Sequence, residues 1–163
     1  MPPHYNLCQI ITNSFQKGRQ RIKVPASRQN LEICKILYEE GFLTSIQKGD
    51  LRGPYPATTS PSHPQSETVR TPFTKSPPKL WLDLKYRHGE PVLKEMKTIS
   101  KPSERVFASV DELKAVAAAR NVSKQLRGRE LGQVTVVDTV FGILELKEAL
   151  RKNVGGEVLC HAR

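Results

Sequence analysis

Cys160 and His161 form the chain's one thiol–imidazole neighbour pair. Neighbouring strand residues point to opposite faces, so adjacency alone does not make them nucleophile and base. His4, His63 and His88 stand near a terminus, in a proline-rich stretch and in a turn. None has the spacing to a carboxylate or thiol that a metal or acid–base site requires. Cys8, Cys34 and Cys160 form no Cys-x-x-Cys, and Gly155-Gly156 lacks the Gly-x-Gly-x-x-Gly or Walker spacing that cradles a nucleotide phosphate. The chain is therefore not read as an enzyme. Neither cofactor, metal nor small-molecule substrate is expected.

Binding chemistry is better represented. Ser100-Lys101-Pro102, with Arg105 close behind, offers a hydroxyl and cations on a rigid turn. Cations hold phosphates, and hydroxyls set register against sugars and bases. Asp138-Thr139 ends the apolar run that begins at Val134, and Gly142 turns the chain just beyond. The pair can cap that turn or contact RNA. Glu157 follows the double glycine and can accept from base amino groups or pair internally with a lysine or arginine.

These groups need rigid elements behind them. Leu7, Ile10, Ile11 and Phe15 recur at helical spacing, which predicts a helix over about 4–17. A basic stretch follows, readable as strand or loop. Ser27 is then a plausible N-cap for a second helix burying Leu31, Cys34, Leu37 and Tyr38. Gly41 supplies the stop, and a strand starts at Phe42–Gln47. Leu80, Leu82, Leu84 and Tyr86 alternate with Trp81, Asp83 and Lys85 as in a half-buried strand. A turn at His88-Gly89-Glu90-Pro91 is expected to return Val92–Ile99 as its partner. A short strand over 105–108 precedes a capping box at Ser109-Val110-Asp111-Glu112, which opens a helix to about Arg120. A basic loop over 121–131 leads to a strand, a turn, a short helix ending at Asn153, and a last strand. Seven of the twelve prolines fall within 50–79, mixed with Ser and Thr, which predicts an inserted loop without a core of its own.

The fold class is α/β (α+β). Helix-strand-helix-strand-strand precedes a mostly β carboxy-terminal part with short helices. The division is drawn at 1–99, with the loop at about 52–79, and 100–163. The 163 residues carry a formal charge of +10, which favours a polyanionic partner. No apolar stretch approaches the ~20 residues that span a bilayer. The first 31 residues contain no acid but five basic residues (Lys17, Arg19, Arg21, Lys23, Arg28). That pattern fits a mitochondrial targeting sequence or a basic arm kept in the mature chain.

At these residues the sequence resembles the universal small-subunit ribosomal protein eight family. The matching blocks are Ile11-Thr12-Asn13, Pro25-Ala26-Ser27-Arg28, Glu39-Glu40-Gly41-Phe42, Leu84-Lys85-Tyr86, and Ile99-Ser100-Lys101-Pro102 with Arg105-Val106-Phe107. Thr139-x-x-Gly142-Ile143-Leu144 with Ala149, and Gly155 to Cys160, complete a set in the family's order across almost the whole chain.

The resemblance implies two α/β subdomains, the second docking on a helix of the central domain of small-subunit rRNA. It adds Ser27 and Arg28 to the candidate RNA contacts, beside Ser100, Lys101, Arg105, Asp138, Thr139, Val140, Gly142 and Glu157. The family's reader is a Ser-Thr-Ser loop where this chain has Asp138-Thr139-Val140, so only Thr139 keeps its type. The glycine usual after Lys-Pro is Ser103 here. These departures, the proline-rich insertion and a second insertion at about 118–131 favour an organellar ribosome. A mitochondrial one, in the matrix, is expected ahead of a chloroplast one. Implied partners are small-subunit rRNA and neighbouring ribosomal proteins, including the fifth. The competing reading is a free-standing RNA-binding translational regulator, and a third is an RNA-processing enzyme, for which no acid–base pair is found.

Overall fold

The computed structural model describes residues 4–55 and 77–163. Most of the proline-rich insertion therefore lies outside the described residues. Helix α1 (His4–Gln16) buries Leu7, Cys8, Ile11, Ser14 and Phe15, the face that the helical spacing predicts. Strand β1 (Arg21–Pro25) turns Ile22 and Val24 inward. Ser27 caps α2 (Arg28–Glu39), its hydroxyl accepting from the Asn30 amide. Gly41 ends that helix at φ +83°, a backbone region that costs glycine little. The buried face of α2 is Asn30, Ile33, Cys34, Ile36 and Leu37. Tyr38, expected there, is half exposed, because it lies one position past the inward stripe.

Strand β2 (Leu43–Gly49) pairs antiparallel with β3 (Lys79–Leu84), whose other edge takes β1, giving the order β1-β3-β2. Leu80, Leu82 and Leu84 point inward, as alternation predicts. The strand expected over Val92–Ile99 does not return to β3, because β1 and β2 already occupy both of its edges. A two-residue hairpin forms instead from β4 (Tyr86–Arg87) and β5 (Glu90–Pro91). His88 and Gly89 both have positive φ, which suits a hairpin turn whose twist matches the flanking strands. Only Met96–Thr98 becomes a strand, β6, and it pairs with the last strand of the chain.

The carboxy-terminal elements are β7 (Phe107–Ala108), α3 (Val110–Ala117), β8 (Val134–Thr139), β9 (Gly142–Glu145), α4 (Leu146–Arg151) and β10 (Gly156–Ala162). The capping box at Ser109 and Glu112 forms as predicted. The short helix stops two residues before Asn153, which takes φ +54°. Ahead of it runs β9, a strand the sequence reading passed over. The sheet order is β6-β10-β8-β9, with β7 also on β10.

This sheet is covered on both faces. Val134, Val136, Leu159 and Cys160 share a core with α1, α2 and the first sheet. Val137 and Val158 face the opposite way, into a second core with Ile99, Leu113, Val116, Leu126 and Leu146. Two-sided burial is why β8 reads as a continuous apolar run rather than an alternating one. No helix of the described residues is long and apolar enough to cross a membrane.

Candidate nucleic-acid interface

The double glycine at the start of β10 fixes the geometry of the site. A Cβ at Gly155 would lie 2.7 Å from the Ala108 carbonyl oxygen, and one at Gly156 would lie 2.0 Å from that of Asp138. The start of β10 is thus wedged between the backbones of β7 and β8, with no room for a side chain. The next residue, Glu157, is registered against Phe107 on one side and Asp138 on the other, and Asp138 against Ile143 of β9. Residues directly opposite share a face, so Phe107, Glu157, Asp138 and Ile143 form a row across the sheet.

Glu157 joins this row to the 100–105 turn. Its carboxylate accepts from the Ser100 hydroxyl and lies 3.5 Å from the Arg105 guanidinium. The Ser100 hydroxyl also accepts from the Val106 amide at 3.2 Å, and the Ser100 carbonyl accepts from His4 Nε2 at 2.8 Å. Ser100, expected to present its hydroxyl at the surface, is fully buried. It braces the turn from inside, because the incoming backbone of Val106 and the Glu157 carboxylate need its two hydrogen-bonding roles. Lys101 and Glu104 exchange backbone hydrogen bonds that close the turn, leaving the Lys101 side chain exposed. The Arg105 side chain is exposed beside it.

The second component is the hairpin between β8 and β9. The Thr139 hydroxyl accepts from the Phe141 amide at 3.3 Å and donates to the Gly142 carbonyl at 2.8 Å. Gly142 sits at φ +106°. The threonine therefore holds its own turn, and the tip carries Val140, 91% exposed, and Phe141, 69% exposed.

The Asp138 carboxylate has no hydrogen-bond or ion-pair partner among the described residues. Partial burial, then the Glu157 carboxylate opposite and Glu32, raise its pKa above the ordinary carboxylate value. Glu157 carries the same charge but has Ser100 and Arg105 to hold it.

Helix α2 closes the far side. It packs against β9, and Glu32 Oε2 lies 3.9 Å from where a Gly142 Cβ would be. Glu32 is paired with Arg28 at 3.1 Å, and the Arg28 side chain is almost fully exposed. Ser27 is spent as the helix cap.

The structure thus gathers Arg28, Arg105, Asp138, Thr139, Val140, Gly142 and Glu157 around one sheet end, with Lys101 on the adjoining turn. Ser27 and Ser100 lie beneath as supports. Sequence reasoning missed His4, Glu32, Phe107 and Phe141. His4 reads in the sequence as a terminal residue, and no local spacing ties it to Ser100. Phe141 did leave a signal: a large apolar residue between a strand-ending threonine and a turn glycine has nothing to bury against.

The family model described as "Ribosomal protein S8" matches residues 4–162. Among curated proteins, the chain is 37% identical over 163 residues to "Small ribosomal subunit protein uS8m" of Schizosaccharomyces pombe, covering all of both chains. It is 35% identical over 158 residues to the protein of that name in Neurospora crassa, covering 97% of this chain and 96% of that one. A Synechococcus protein, "Small ribosomal subunit protein uS8", is 33% identical over 161 residues, covering 98% and 95%.

Proposed function

Because the chain belongs to the ribosomal protein S8 family, we propose that it is a structural constituent of the mitochondrial small ribosomal subunit, held there by rRNA. Its role is architectural rather than catalytic. The observation that carries this reading is the joining of the 100–105 turn and the 138–142 hairpin through Glu157, in a chain matched along its whole length. Lys101, Arg105 and Arg28 contact phosphates, while the hairpin backbone and Thr139 meet the RNA surface by shape. Ser27, Ser100 and Glu157 act by holding those groups in place.

The carboxy-terminal part, 100–163, carries most of the RNA contact, and the part before it braces that surface through His4 and Glu32. The partners are small-subunit rRNA of the central domain and neighbouring ribosomal proteins, the fifth among them. The chain works in the mitochondrial matrix, on the mitochondrial ribosome.

Sedimentation of mitochondrial lysate tests the assignment. The protein is expected to travel with the small subunit after a salt wash, whereas a free-standing translational regulator would stay in the light fractions. The contact surface is tested with Lys101→Glu combined with Arg105→Glu. Both side chains are exposed, but Arg105 also pairs with Glu157, so binding is read only from a double variant that circular dichroism shows to be folded. It should weaken rRNA binding at least ~10-fold and reduce the slope of log affinity against log salt by about 2. Unchanged binding would remove the 100–105 turn from the site.

A further inference from the structure

We propose that Phe141 is a base-stacking residue: an unpaired base of the bound RNA lies against its ring at the tip of the β8–β9 hairpin. This deepens the RNA-binding reading and rests on it.

Phe15 and Phe42 are 3% and 7% exposed, whereas Phe141 is 69% exposed. A single exposed apolar side chain is ordinary on a protein surface. This one stands on a pinned support. The Thr139 hydroxyl holds the Phe141 amide, and the Thr139–Gly142 pair closes the hairpin beneath it. A ring on a rigid tip pays little ordering entropy when a flat partner arrives.

The surroundings select the partner. A protein docking patch is depleted of charge at its centre. Here the row running back from the hairpin is Asp138, Glu157 and then Phe107, itself 66% exposed, so two carboxylates separate the aromatic groups. Arg28, Lys101 and Arg105 stand around that row. Exposed rings interleaved with cations and hydrogen-bond acceptors suit nucleobases, which bring a π-face, amino donors and a phosphate on one unit. Stacking also tolerates any base, so this chain reads the RNA here less by hydroxyl contacts and more by the presence of an unstacked nucleotide.

The test compares the full-length chain with Phe141→Ala, Phe141→Leu and Phe141→Tyr. The probe is a transcript of the central domain of mitochondrial small-subunit rRNA, titrated at several salt concentrations. Ala and Leu should each raise Kd about 5- to 150-fold, and Tyr should stay within about 2-fold, since only an aromatic face replaces the stack. The salt slope should be the same for all four, because no ionic contact changes. Wild-type affinity in Phe141→Leu would overturn the proposal by showing a merely apolar contact. Wild-type affinity in Phe141→Ala would also overturn it, and poor incorporation of that variant into subunits would then assign the tip to a protein neighbour. No binding by the wild-type chain would overturn both this proposal and the reading beneath it.

Discussion

Gly156→Ala should separate the two strands on which the proposed RNA-binding face depends. The added Cβ would sit 2.0 Å from the Asp138 carbonyl oxygen, 2.9 Å from its carbonyl carbon and 3.3 Å from Thr139 Cα. All three are backbone atoms in a paired strand, so no side chain can swing away. Non-bonded carbon contacts settle near 3.5–4.0 Å, so β10 must move from β8 by at least about 1 Å. Overpacking of this kind costs about 1–3 kcal/mol, and each ladder hydrogen bond weakened adds about 1 kcal/mol. A loss of about 3 kcal/mol is expected. With a urea m-value of roughly 2 kcal/mol/M, the unfolding midpoint should fall by about 1.5 M. Gly53→Ala is the control, because its Cβ would meet nothing within 4 Å and its φ lies outside the left-handed region; it should shift stability by no more than about 0.5 kcal/mol. Urea unfolding followed by circular dichroism reads both. If Gly156→Ala matches Gly53→Ala, the steric account of the double glycine is wrong.

Two other measurements probe the core. His161 is buried, its Nδ1 2.8 Å from the Thr135 hydroxyl and its Nε2 unpartnered among the described residues, and burial, then Lys97 and Arg129, lower its pKa to about 4. The unfolded value is near 6.5, so its contribution to stability is complete above that pH and is lost as pH falls toward 4. About 2 kcal/mol should be gone by pH 5, before most carboxylates titrate, and His161→Gln should abolish that part of the slope; equal slopes in both proteins would refute the assignment. Cys8, Cys34 and Cys160 are all buried, and burial pushes the Cys34 thiol up to about 12. Because the thiolate is the reactive form, a disulfide reagent should find no accessible thiol in the native protein and three after unfolding; rapid native labelling would contradict the core.

What the sequence made legible was whatever depends on local rules. The first helix and its buried stripe follow from spacing, the N-caps at Ser27 and Ser109 from hydroxyl chemistry, and the stop at Gly41 from its φ. The partnership of Met96–Thr98 with β10 was not legible, because a strand's pattern says which face is buried and not which edge is free. Its 98↔160 pairing joins residues more than sixty positions apart, and nothing local encodes that. Ser100 failed for a similar reason. Its hydroxyl type suggested RNA contact, but besides Val106, six residues on, its partners are His4 and Glu157, from opposite ends of the chain. Glu157 was legible as a choice between base contact and internal pairing, and the fold provides the internal partners.

The electrostatics of the assembled face change how the charge of +10 should be understood. Around the row, Asp138, Glu157 and Glu32 stand against Arg28, Lys101 and Arg105, so the face is close to neutral. At physiological salt, exposed charges more than about 8 Å away are largely screened and do not make up the difference. The cationic surplus therefore acts from the rest of the surface, where it raises the encounter rate and the sequence-independent part of affinity. On the proposed reading, discrimination comes from short-range contacts at the neutral centre: backbone groups of the hairpin, the Thr139-pinned tip and the ring of Phe141. A carboxylate that would be a liability in a purely electrostatic site is tolerable here, because Glu157 already has its counter-charge in Arg105. High salt should thus weaken binding overall while leaving the preference for one folded RNA over another largely intact.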